Sequence, residues 1–159
     1  MSQNFTHLDA QGNPNMVDVG DKNITTRTAK ARGIVVLEER VLAHFSADDI
    51  HTKKGAVFQT AILAGLMAIK KTPDLIPLCH QVGLDKSHIE IYLNSEREVV
   101  IECTAKATAK TGVEMEALTG VSVAALTIYD MCKGFSHHII IKEIRLLEKT
   151  GGKTDFVAA

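Results

Sequence analysis

The stretch from about Gly112 to Lys133, GVEMEALTGVSVAALTIYDMCK, constrains the fold more than any other part of the chain, because read as a helix it is apolar on nearly every side. Met115, Leu118, Val121, Val123, Ala124, Ala125, Leu126, Ile128 and Met131 recur at helical spacing but spread around the axis, so one sheet cannot cover them all. Such a helix needs a second burial partner. Within one domain only the sheet and another helix are at hand, and the surplus predicts a subunit interface, most simply an isologous one. Thr111-x-x-Glu114 matches a capping box at the start, and Gly134 is the residue expected just past the end.

The last turn of this helix carries Asp130, where the macrodipole disfavours a carboxylate by roughly 0.3–1 kcal/mol. Lys133, three residues on, obeys the dipole and reaches back to the same face. The pair reads either as an ordinary surface ion pair or as acid–base machinery. Glu114 has the capping box to explain it, whereas Glu116 has no local reason to be there. At 1.5 Å per residue these glutamates stand about 21–24 Å from Asp130, too far to share one small reacting centre. If both helix ends serve one reaction, they come from different chains.

The rest of the chain supplies the other layer. Residues 1–29 are polar, contain Gly12, Pro14 and Gly20, and read as an irregular arm, either disordered or functional, with Asp18 and Arg27 as its contacts. The run Ile34-Val35-Val36-Leu37 makes a buried strand. Next, TKKGAVFQTAILAGLMAIKKTPD is a helix with Thr52 as a plausible N-cap and Pro73 as its stop; Ala61, Ala64, Gly65 and Ala68 permit close approach of another backbone. Lys53 and Lys54 precede or open that helix, whose N-terminus is already positive, so they are misplaced unless an anion binds there. Ile89, Ile91 and Leu93, then Val99, Ile101, Cys103, Ala105 and Ala107, alternate with other residues as a half-buried hairpin. HIIIKEIRLLEK is a last strand, and residues 149–159 read as a Gly- and Lys-containing tail. The order β-α-β-β-α-β predicts an α+β, ferredoxin-like sandwich: an antiparallel four-stranded sheet with the helices on one face, in a single domain spanning 1–159.

Composition excludes several classes. With 45% hydrophobic, 23% charged and 4% aromatic residues, the 159-residue chain is a globular protein with an aliphatic core. A formal net charge of −1 gives no general attraction to nucleic acid or anionic lipid, and there is no aromatic-rich RNA-binding strand. The longest near-apolar run, Ala61 to Ile69, is about half a membrane span. Cys79, Cys103 and Cys132 are odd in number and far apart, which fits the reducing cytoplasm. Cys132 with His137 and His138 lacks zinc spacing, so no metal site is expected.

Acids and bases are present, but no Ser-His-Asp set, so proton transfer is favoured over covalent catalysis. Asp130, Lys133, Lys54 and His80 are the candidates. Burial or neighbouring cations would lower the Lys54 pKa and Asp130 would raise it, and the sequence leaves that sign open. Lys149, Gly151, Gly152 and Lys153 read either as a phosphate cradle or as a mobile tail.

Five segments, MVDVGDK (16–22), KKGAVFQTAILAG (53–65), DLIPLCH (74–80), KTGVEMEALTGVSVAALTIYDMCK (110–133) and KTGGK (149–153), together resemble the molybdenum cofactor biosynthesis protein C (MoaC) family over nearly the whole chain. The resemblance implies a cyclic pyranopterin monophosphate synthase. This is a phosphorus–oxygen lyase converting 3′,8-cyclo-7,8-dihydro-GTP into a pyranopterin with a cyclic phosphate and releasing pyrophosphate. It implies acid–base roles for Asp130, Lys133 and Lys54, and substrate binding by Leu78, Cys79, His80, Met115 and Glu116, with Glu114 beside them. Arg27 and Lys149 would meet the triphosphate. The sequence shows no required cofactor and leaves open whether Mg²⁺ accompanies the triphosphate or pyrophosphate; the resemblance implies a homohexamer, a trimer of dimers with sites shared between subunits. Gln81 stands where the family usually has Pro, LTGVS replaces a commoner small-residue pair, and the tail is one Gly short. The alternative from another class is a ferredoxin-like module that binds a nucleotide or pterin without chemistry.

Overall fold

The computed structural model describes residues 11–159; the first ten residues of the N-terminal arm lie outside them. Along the chain run β1 (Thr25–Val36), α1 (Glu39–Leu42), β2 (Phe45–Ser46), β3 (Asp49–Thr52), β4 (Gly55–Ala56), α2 (Val57–Ile69), α3 (Thr72–Leu75), β5 (Lys86–Leu93), β6 (Val99–Ala109), α4 (Glu114–Cys132), β7 (Ile140–Thr150) and β8 (Phe156–Val157). The architecture is α+β. Its main sheet is antiparallel with the order β5-β6-β1-β7-β8, five strands where four are expected, and β2-β3-β4 form a second, three-stranded sheet. The fifth strand exists because the chain turns at Gly151 and returns, so that Phe156 and Val157 pair with Lys149 and Glu148.

Alternation along the strands decides which face is covered. Ala29, Ala31 and Val35 of β1, Ile101, Cys103 and Ala105 of β6, and Ile89 and Ile91 of β5 are buried together with α2 and α4. The opposite face carries charge pairs, Lys30 with Glu102 at 2.6 Å and Arg32 with Glu143 at 3.1 Å. Small residues set the helix spacing. A Cβ on Gly65 of α2 would stand 2.8 Å from the Gly120 carbonyl oxygen of α4, and one on Gly33 would stand 2.5 Å from Val121. The close approach expected of the small-residue stripe is therefore realised against α4.

Several boundaries differ from expectation. Strand β1 begins at Thr25, nine residues before the apolar run, because Thr25 to Gly33 pair with β6 whatever their polarity. Helix α2 starts at Val57, and Thr52 does not cap it: its hydroxyl accepts from the Lys54 amide and donates to the Gly55 carbonyl inside the β3–β4 turn. The capping box does not form. Helix α4 starts at Glu114 itself, with Val113 at the N-cap position and no side-chain cap. Lys149 and Thr150 are not tail residues but the end of β7.

Helix α4 buries Val121, Ala124, Ala125, Ile128 and Met131 but leaves Met115 and Leu126 exposed; Ile140 and Ile144 of β7 are exposed as well. Among the described residues no helix is long and apolar enough to cross a membrane.

Candidate functional site: two charged clusters at the ends of one helix

At the C-terminal end of α4, the Asp130 carboxylate lies between two ammonium groups. Lys133 Nζ is 2.7 Å from one oxygen and Lys54 Nζ is 3.1 Å from the other, and Lys54 also donates to the Asp130 backbone carbonyl at 3.1 Å. Lys133 is the helix neighbour three residues on; Lys54 arrives from the β3–β4 turn. The hydrogen bond from Lys133, then that from Lys54, hold the Asp130 carboxyl below the usual aspartate range, and Asp130 in turn raises Lys133. All three side chains are about half exposed, open to a ligand. Both ammonium groups belong to the same chain as Asp130, so its unfavourable place on the dipole is compensated without a neighbouring copy. Thr52, Lys53, Met131 and Phe135 line the shallow hollow beside the cluster.

Lys53 and Lys54 do not open α2, and the positive end of that helix is already occupied. Asp49, 5% exposed, accepts from the amides of Ile50 and Phe58 at 2.6 and 2.7 Å through Oδ1 and from Gln59 at 3.2 Å through Oδ2. This carboxylate takes up two of the free N–H groups of α2, those of Phe58 and Gln59, that the sequence offers to an outside anion. Burial and the Asp49 charge push the nearby Cys132 thiol up to about 11. Cys132 is a buried core residue.

The opposite end of α4 borders a cleft of roughly 640 Å³ lined by Lys22, Arg27, Lys110, Lys149 and Lys153, with Glu114 among them. Lys149 Nζ lies 3.2 Å from Glu114 Oε1. Glu114 thus serves an ion pair across the cleft wall instead of a capping box. Arg27 is steered by the carbonyls of Ala109 and Lys110, each at 3.4 Å, and Lys110 Nζ donates to the Gly20 carbonyl at 2.5 Å. Gly151, at φ 80°, brings the floor so close to Thr26 O that a Cβ would collide with it. Asp18 stays apart from this cleft, its carboxylate accepting from the Gly20 amide at 2.7 Å in an exposed turn.

A third group lies on the segment before β5. His80 Nε2 is 2.7 Å from the Val17 carbonyl, pinning the arm to the body, and the Cys79 thiol makes a long 3.9 Å contact to Glu116 Oε1. Glu116 is only 2% exposed, and its Oε2 has no hydrogen-bond partner. Burial, then the Glu114 charge, raises the Glu116 pKa; burial, then Glu116, raises that of Cys79. Leu78 is half-buried and Met115 exposed.

With this geometry in view, the MoaC family model matches residues 16–152. The chain belongs to the MoaC family. Cyclic pyranopterin monophosphate synthase from Xanthomonas oryzae pv. oryzae (strain MAFF 311018) is 48% identical over 158 residues, covering 99% of this chain and 96% of that protein. The molybdenum cofactor biosynthesis bifunctional protein of Synechocystis sp. is 50% identical over 95% of this chain and 45% of its own length. Molybdenum cofactor biosynthesis protein 1 of Drosophila melanogaster is 50% identical over 96% of this chain and 27% of its own length.

The span matched to the MoaC family includes every candidate from Asp18 to Lys149 and stops short of Lys153. The fold brings Asp130, Lys133 and Lys54 together, and separately Arg27, Glu114 and Lys149. It leaves Asp18 out of both sets. Lys22, Lys110 and Asp49 escaped sequence reasoning: the two lysines sit in irregular segments, and Asp49 acts across nine or ten residues, beyond any local motif. Among the described residues, no three His, Cys, Asp or Glu side chains are grouped to hold a metal ion.

Proposed function

We propose that the protein is a cyclic pyranopterin monophosphate synthase that converts 3′,8-cyclo-7,8-dihydro-GTP to cyclic pyranopterin monophosphate and releases pyrophosphate, working by acid–base catalysis. The observation that carries this reading is the Asp130 carboxylate clasped by Lys54 and Lys133. With Asp130 lowered and Lys133 raised, the resting cluster at neutral pH holds one carboxylate, able to accept a proton, beside an ammonium, able to donate one. Ring opening and reclosure move protons at several atoms, and such a cluster supplies both directions of transfer. The basic cleft around Arg27 and Lys149 suits the triphosphate, because fixed cations stabilise the charge that develops on departing pyrophosphate. Any Mg²⁺ would enter with the phosphates as part of the substrate.

The two clusters occupy opposite ends of α4, about 21–24 Å apart along its axis, so one substrate cannot bridge them within one chain. The separation supports sites shared between copies, and the proposed working form is a homohexamer, a trimer of dimers, in which the acid–base end of one copy faces the basic cleft of another. The exposed Leu126, Ile140 and Ile144 suit such an assembly. Strands β1, β5, β6 and β7 with α2 and α4 are read as a ferredoxin-like unit, to which β8 and the small sheet are additions. The proposed location is the cytoplasm. Incubating purified protein with the cyclised GTP precursor is expected to yield pyrophosphate and, after oxidation, a fluorescent pterin. Tight binding with neither product would instead identify a ligand-binding module.

A further inference from the structure

Lys54 is the one member of the acid–base cluster carried by neither α4 nor its C-cap residue, so something outside α4 must fix where its ammonium stands. The turn that carries it, Thr52 to Gly55, has no apolar side chain of its own, and Gly55 sits at φ 114°. Its internal bonds, Lys54 N–H to Thr52 Oγ1 at 3.0 Å and Thr52 Oγ1 to Gly55 O at 3.3 Å, shape the turn but do not anchor it to the body. Pairing of His51 with Ala56 and of Thr52 with Gly55 closes the hairpin, and Asp49 adds the side-chain link from it to α2. Its carboxylate, at the start of β3, bonds the amides of Phe58 and Gln59 in the first turn of α2 and so ties together the two ends of the segment that projects Lys54. The N-cap residue Ala56 supplies no side-chain cap. Asp49 also lies close enough to Cys132, in the last turn of α4, for its charge to be felt there.

We propose that Asp49 is a positioning residue: by bonding the Phe58 and Gln59 amides it holds the β3–β4 hairpin against α2 so that the Lys54 ammonium meets Asp130. It touches none of the groups assigned to the substrate and acts through Lys54. The catalytic consequence rests on the synthase reading, whereas the geometric one does not. An ammonium displaced by about 1 Å from a reacting centre costs on the order of 100-fold in rate, which sets the scale for loss of the anchor.

The test is a carboxyl ¹³C NMR titration of Asp130 in the full chain, beside turnover of the cyclised GTP precursor. Lys54 and Lys133 are the charged groups bonded to Asp130, so Lys54→Met raises its pKa by removing one of the two. Asp49→Asn, which keeps one acceptor and loses the charge, is expected to raise it in the same direction, and Asp49→Asn added to Lys54→Met to raise it no further. Asp49→Ser, with a hydroxyl that reaches only one amide, serves as a second variant. Turnover should fall about 10–100-fold in kcat with KM little changed. Unchanged Asp130 titration in a folded Asp49 variant, an additional rise in the double variant, or failure of both Asp49 variants to fold would each overturn the proposal in favour of a purely structural cap. A shifted titration in a protein that never turns over the precursor would uphold the positioning and defeat the synthase reading.

Discussion

Asp130 and Glu116 show opposite ways of placing a carboxylate in one helix. Asp130 is half exposed and bonded to two ammonium groups, which favour its charged form; Glu116 is buried with one oxygen unpartnered, which disfavours it. Because the folded-state pKa of Glu116 is raised, its contribution to stability is intact below the ordinary glutamate range and is lost as pH rises through the raised value. Glu116→Gln should therefore gain stability relative to the parent as pH climbs from about 4.5, and a Tm difference that stays flat with pH would refute that assignment. Asp130 was legible in the sequence because it broke a local rule. Glu114 was misread because a four-residue pattern matched a capping box, while the actual partner, Lys149, is far along the chain. Asp49 left no local trace at all.

Among the elements, the contact between α2 and α4 depends on the absence of two side chains. Gly65→Ala would gain helix propensity of up to about 1 kcal/mol, but the added methyl would stand 2.5 Å from Ile89 Cδ1 and 2.8 Å from the Gly120 carbonyl. Backbone cannot yield as a side chain can, so a net destabilisation of about 1–3 kcal/mol is expected, measured as a lower urea midpoint. The β2–β3 turn has the reverse imbalance. Ala47 and Asp48 both lie in the left-handed region, at φ 49° and 64°, as a two-residue hairpin turn requires, and alanine is poorly suited to it. Ala47→Gly should raise stability by about 0.5–1 kcal/mol, and a lower Tm would contradict that account of the turn. The long elements were readable because their apolar periodicity extends over many residues. The small sheet was not: its strands are two to four residues long, and tertiary contacts with α2 decide them. Strand β1 was found only in its apolar half, since pairing with β6 extends it through Thr25, Arg27 and Lys30.

For the molecule as a whole, the proposal is that the two charged clusters, separated along one helix, are joined into one site by another copy. Asp130→Asn and Lys149→Ala each damage one end of α4. Mixed and co-refolded, they should regain part of the parent's turnover, because some sites then combine an intact acid–base end with an intact basic cleft; activity no higher than that of the separate variants would rule out sharing between chains. The sequence carried the length argument in full, since helix rise alone sets the separation. Which surfaces meet was not legible there, because an exposed apolar residue does not name what covers it. The central claim, that the aspartate clasped by two lysines moves the protons, is tested most directly by pyrophosphate release from 3′,8-cyclo-7,8-dihydro-GTP in the parent and in Asp130→Asn. Release by the parent and none above background by the variant is expected, with folding and substrate binding little changed. Undiminished turnover in Asp130→Asn would contradict it.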